Sequence, residues 1–177
     1  GGALTAAWLC GRLGYSPRAW ADVAAPPLLL AIGGGKLAML LAGAGQGLPW
    51  DGRGGVAFLG DGPWASLDPG TPAYPTQALE GTWALLGIPV LLVLERRLAG
   101  RGPAPSGALA LATAAWWLAG RAAVAIWWRD EPVAGPWGAE GLVALVLLGA
   151  AVVLLVRMTL GARPSDQGPY PAGPLPS

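Results

Sequence analysis

Residues 138–160 read GAEGLVALVLLGAAVVLLVRMTL. Between Glu140 and Arg157 every residue is apolar or glycine. A helix of about 20 such residues matches the hydrocarbon thickness of a bilayer. The stretch is apolar on all faces, so no face is built for water. Lipid offers backbone N–H and C=O groups no partner, and a helix satisfies them internally. This segment therefore reads as a membrane span.

Working outward, the same reading fits Val23–Gly43 and Ser106–Trp128, and fits Gln77–Leu94 if its Glu95-Arg96 end snorkels. The apolar stretch Gly1–Leu13 is too short to cross and reads as part of a first helix. The expected fold is all-α, a polytopic transmembrane helix bundle of about four full spans plus a partial first helix, with outward-facing loops. Composition agrees. Apolar residues make up 54% of the chain and charged residues 12%, against about 25% charged in a typical soluble domain. The ten Trp suit the membrane–water interface, where the ring is apolar and its N–H wet. Residues 1–161 are expected to form one transmembrane domain lacking its N-terminal helices. Residues 162–177, rich in Pro, Gly and Ser, are expected to be a disordered cytoplasmic tail. No basic segment precedes a short apolar core, so no cleaved signal peptide is read.

Within the spans, Pro26-Pro27 and Pro89 are expected to kink or delay their helices. The Gly33-Gly34-Gly35 run marks a break or a close backbone approach. Net charge is +1 and no basic tract follows a phosphate backbone, which argues against nucleic acid as a partner. Cys10 is the only cysteine and there is no histidine, so the usual metal ligands and the usual neutral-pH base are missing. No metal or cofactor is expected.

Charge sets the expected orientation. Arg12, Arg18, Arg96, Arg97, Arg101, Arg157 and Arg163 flank one face, whereas only Arg53 and Arg129 flank the other, beside Asp51, Asp61, Asp68, Asp130 and Glu131. The first face is read as cytoplasmic. The remaining cations, Lys36 and Arg121, lie within spans, past their midpoints on the outward side. Glu80 and Glu140 lie at the outer ends of the neighbouring spans. A charge at the centre of a span costs about 2.5–3.5 kcal/mol on insertion scales, so these groups should face each other or a wet cavity. Two readings stay open: ion pairs that only join helices, or an outward-facing pocket for an anionic headgroup, with Arg as a fork and Lys as a point charge.

Other features have plainer readings. Trp127-Trp128 suits interface anchoring or packing, and Trp116-Trp117 lies deeper. Gly43-Ala44-Gly45-Gln46-Gly47 lacks the Lys-Ser or Lys-Thr of a phosphate loop and reads as a flexible exit from its helix. Thr76 reads as a helix cap.

The order and spacing of these features resemble the prolipoprotein diacylglyceryl transferase family from Gly1 to about Leu160. Gly1-Gly2 resembles a pair that follows a family His, and Ala21-Asp22-Val23-Ala24-Ala25-Pro26 resembles the family's Asp-x-x-Ala-Pro. The run from Gly35-Lys36 to Gly43 and Gly47, followed by Leu48-Pro49-Trp50, resembles the glycine-spaced signature around the family's lipid-binding Arg. Tyr74-Pro75-Thr76-Gln77-Ala78-Leu79-Glu80 resembles His-Pro-Thr-Gln-Leu-Tyr-Glu. Trp117-Leu118-Ala119-Gly120-Arg121 resembles the start of a Tyr-Gly-x-x-Arg motif, with Arg129 one residue beyond that motif's last Arg.

The resemblance implies transfer of a diacylglyceryl group from phosphatidylglycerol to the lipobox cysteine of prolipoproteins, at the outer side of a bacterial plasma (inner) membrane. It implies Arg121 and Tyr74 in catalytic positions. It also implies a phospholipid site of Lys36, Arg121, Arg129, Gly47, Glu80 and Trp117, with phosphatidylglycerol and lipobox signal peptides as partners. The departures are Lys36 for Arg, Ala38 and Met39 for Gly and Asn, Tyr74 for His, Leu79 and Trp117 for Tyr, and Ala125 for Glu. They keep a second expectation open: a non-catalytic paralogue that binds an anionic phospholipid or a lipoprotein precursor.

Overall fold

A computed structural model describes residues 2–59, 70–99 and 105–161. Gly1, Asp61, Asp68, Arg101, Arg163 and the expected tail lie outside the described residues. The elements are α1 (Gly2–Leu13), α2 (Pro17–Ala42), α3 (Thr76–Ala99), α4 (Ala108–Val124) with a 3-10 turn over Ala125–Trp127, and α5 (Ala139–Gly161). Among the described residues the fold is all-helical, with only isolated backbone bridges in the loops. Helices α2 to α5 are each long and apolar enough to cross a membrane, counting the 3-10 turn with α4; mean hydropathy peaks at 2.6 in α5. The expected polytopic bundle is the observed fold.

Helix α2 starts earlier than its apolar stretch suggested. The Ser16 hydroxyl oxygen accepts from Ala19 N at 3.4 Å and Pro17 occupies the first turn, which together start the helix six residues before Val23. Arg18 and Asp22 are therefore helical rather than in a loop. The helix runs through Pro26 and Pro27 and through all three glycines, and ends at Gly43 with φ 72°. The prolines do not delay the helix, and the glycines do not break it.

Helices α2, α3 and α4 pack on one another, α5 packs on α4, and α1 packs on α2. The core is Leu29, Ala84 and Leu91, flanked by Ile32, Ile88, Leu109, Ala112 and Trp117. Large side chains such as Leu30, Leu41, Val146 and Leu160 lie exposed on the bundle's flanks, as expected where lipid is the solvent. With little hydrophobic drive between helices in lipid, close packing and polar ties must hold them.

Two such ties stand out. Trp83 on α3 and Trp116 on α4 stack at 4.3 Å, and each indole N–H donates to the other residue's carbonyl, at 2.7 and 2.9 Å. At the opposite end from the α2 C-terminus, the Asp22 carboxylate accepts from Gly107 N at 2.6 Å and Ala110 N at 2.8 Å. Asp22 thus caps α4 from another helix, at a terminus where Gly107 supplies no side chain. Asp22→Ala should lower stability by about 1–2 kcal/mol, and Asp22→Asn should recover part of the loss. Thermal unfolding in detergent measures both.

Candidate functional site

The site end of the bundle is where α2 and α4 finish and α3 and α5 begin. It is assembled by helix approach. Gly33 on α2 and Gly81 on α3 face each other: a Cβ at Gly33 would lie 2.7 Å from the Leu85 side chain and 3.2 Å from Gly81 O. A Cβ at Gly81 would meet Gly33 O at 3.2 Å and the Lys36 Cβ at 3.3 Å. Only glycine lets these backbones come so near, and the approach sets Lys36 beside Glu80.

Glu80 is fully buried and uses both oxygens. Its Oε2 lies 2.5 Å from Lys36 Nζ and its Oε1 lies 2.5 Å from Arg121 Nη1. The other arm of Arg121, Nη2, donates to Glu140 Oε2 in the first turn of α5. Four helices therefore each contribute one charge to a single chain, Lys36–Glu80–Arg121–Glu140. The burial is uneven: the side chains of Lys36 and Arg121 are 16% exposed, that of Glu80 0% and that of Glu140 65%. Trp128 closes the group, with its ring 5.0 Å from Lys36 Nζ and 4.4 Å from the Arg121 guanidinium carbon. Each cation over an indole face adds roughly 0.5–2 kcal/mol, more where water is excluded.

The loops at this end form a second tier. Leu48 N donates to Trp127 O at 2.7 Å, Gly47 N to Tyr74 O at 3.0 Å and Tyr74 N to Leu48 O at 3.0 Å. Arg129 Nε donates to Gly47 O at 2.7 Å, and the Arg129 Nη2 is buried without a partner among the described residues. A Cβ at Gly47 would lie 2.6 Å from Trp127 O, so the crossing of these segments requires glycine there. The Tyr74 ring lies between Trp50, at 4.4 Å, and Trp127, at 5.8 Å.

Two expectations are corrected here. The Gly43–Gly47 run is not a free exit: Thr76 Oγ1 donates to Gly45 O at 2.9 Å and Gln77 Nε2 donates to Ala44 O. The Thr76 hydroxyl is thus engaged across the loop, reaching the segment after α2 rather than capping α3.

Of the residues named from sequence, Lys36, Glu80 and Arg121 come together in the charge chain, and Gly47, Arg129 and Tyr74 come together in the tier above it. Trp117 packs instead on Leu29, Ala84 and Leu91. Trp128 and Glu140 were not named as binding residues. Trp128 lies beyond the 3-10 turn in extended backbone, so helical periodicity gave no signal for its place over Arg121.

Lys36, Glu80 and Arg121 thus come from three successive long helices and close into one cluster. A family model for prolipoprotein diacylglyceryl transferase covers residues 1–157. The chain belongs to this family. Comparison with curated proteins gives no match. Prolipoprotein diacylglyceryl transferases act on lipid and lipoprotein precursors in membranes, in lipoprotein biogenesis. That chemistry accords with a charged cluster set at one end of membrane-length helices.

Proposed function

We propose that the protein transfers a diacylglyceryl group from phosphatidylglycerol to the lipobox cysteine of prolipoproteins, at the outer face of a bacterial inner membrane. The observation that carries this reading is the pair of cations, Lys36 and Arg121, held at one level against the face of Trp128. The excess of arginines at the opposite end of the helices supports an outward site and a cytoplasmic C-terminus.

In this reading the substrate's cysteine thiolate attacks the glyceryl carbon that carries the phosphate. A C–S bond forms, the C–O bond to phosphate breaks, and glycerol phosphate leaves with the electron pair. Arg121 holds the phosphate by its outer arm, Nη2, and Lys36 adds positive charge as that anion departs. Arg129, tied to Gly47, supports the rim. Glu80 keeps both cations in place. Tyr74, fixed between two indoles, orients the substrate from above.

A second reading, a paralogue that binds the lipid or precursor without transfer, is favoured by one observation. Tyr74 occupies the position of a family His, and a phenol is a poor general base at neutral pH. The full-length protein, incubated with phosphatidylglycerol and a lipobox peptide, should yield the mass of the thioether adduct. No adduct, under conditions where another family member forms it, would leave the paralogue.

A further inference from the structure

The charge chain is not uniform, and its weakest point lies at Glu140. Glu80 cannot leave its two cations, because it is fully buried and would then be an uncompensated carboxylate. Lys36 has its ion pair with that same buried group. Arg121 is divided: one arm is committed to Glu80, and the other holds Glu140, whose side chain is 65% exposed. An exposed carboxylate that lets go is rehydrated at once, so its pairing is worth little. Stacking on Trp128 holds the guanidinium plane whichever anion its outer arm carries.

We infer that Glu140 is a displaceable counter-ion: an incoming phosphate anion takes its place on Arg121 Nη2, while Glu80 and Lys36 stay as they are. This rests on the reading of Arg121 as the phosphate-binding residue and adds a residue that sets the affinity of that site. With the site empty, the Glu140 carboxylate neutralises the outer arm, which would otherwise stand as an unpaired cation near membrane depth. With the phosphate bound, the carboxylate turns outward to water. An uncharged headgroup brings no anion to replace Glu140, and a zwitterionic one brings its own cation beside Lys36 and Arg121, with or without the Glu140 carboxylate. The shared chemistry is a phosphate anion, carried either by a lipid headgroup or by a free glycerol phosphate.

The test is native mass spectrometry of the full-length protein in detergent. The wild type and Glu140→Gln are titrated separately with phosphatidylglycerol, phosphatidylcholine and soluble glycerol phosphate. Removing the competing carboxylate should tighten binding of phosphatidylglycerol or of glycerol phosphate about fivefold, with phosphatidylcholine unchanged. The ligand that tightens identifies the source of the phosphate. Unchanged or weaker binding by Glu140→Gln, in a protein that still prefers phosphatidylglycerol to phosphatidylcholine, overturns the counter-ion role and leaves the phospholipid site standing. If neither protein prefers an anionic ligand and Arg121→Ala alters nothing, both the counter-ion and the site itself are overturned.

Discussion

Arg121→Ala should cut thioether formation by about 10²–10³-fold, the usual cost of losing one donor aimed at developing charge. Arg121 combines three features: one arm bound to a buried carboxylate, one arm held by an exposed carboxylate, and a planar face on Trp128. Arg121→Lys should restore only a small part, because an ammonium has no fork and cannot serve Glu80 and a phosphate together. The protein should still fold, since Glu80 keeps its contact with Lys36 when Arg121 is removed. Transfer rates, read beside a detergent melting curve, separate the two effects. Activity within a few-fold of wild type, in a folded Arg121→Ala protein, would exclude Arg121 from phosphate binding.

Glu80→Ala is expected to act on stability first. Its carboxylate is fully buried and bridges two cations, so its loss strands Lys36 beside Trp128 and leaves Arg121 only the exposed Glu140. Breaking a buried ion pair from one side costs roughly 3–5 kcal/mol. Lys36→Met should cost clearly less, because Glu80 then still holds Arg121 and an apolar chain replaces a charge. Unfolding by heat or by denaturing detergent ranks the two variants. Equal losses would mean that Glu80 serves one partner only.

The spans were legible because membrane insertion depends on local composition and length, both of which are printed in the chain. The start of α2 was missed because Arg18, Trp20 and Asp22 look like loop residues, although Ser16-Pro17 is a start signal of known physical cause. The level of Lys36, Glu80, Arg121 and Glu140 was also legible, because the fixed helical rise converts position in a span into depth. That they could pair was legible too, but which cation meets which carboxylate was not. Depth follows from one helix alone, whereas contact depends on how far each helix is rotated toward its neighbours.

The tryptophan pairs show the same limit. Trp116 and Trp117 are adjacent on α4 and point about 100° apart, whereas Trp127 ends the 3-10 turn and Trp128 is extended, so the two members of each pair serve different neighbours. Trp116 stacks on Trp83 while Trp117 fills the core, and Trp127 faces Tyr74 while Trp128 carries the cations. Sequence supplied the identities but not the directions. In the same way the Gly43–Gly47 run carries no local order of its own and is held by Thr76, Gln77 and Arg129 from remote positions.

The amino-acid order alone therefore determined a helical membrane bundle, the level of its charges and its family resemblance, because each rests on local properties or on linear spacing. Tertiary structure decided that Glu80 would be the buried bridge and Glu140 the exposed arm. The near contact of Gly33 and Gly81 brings Lys36 to Glu80, and α5, packed on α4, brings Glu140 to the outer side of Arg121. Burial is a property of the assembled helices, and it is burial that separates a permanent ion pair from one that a ligand can displace.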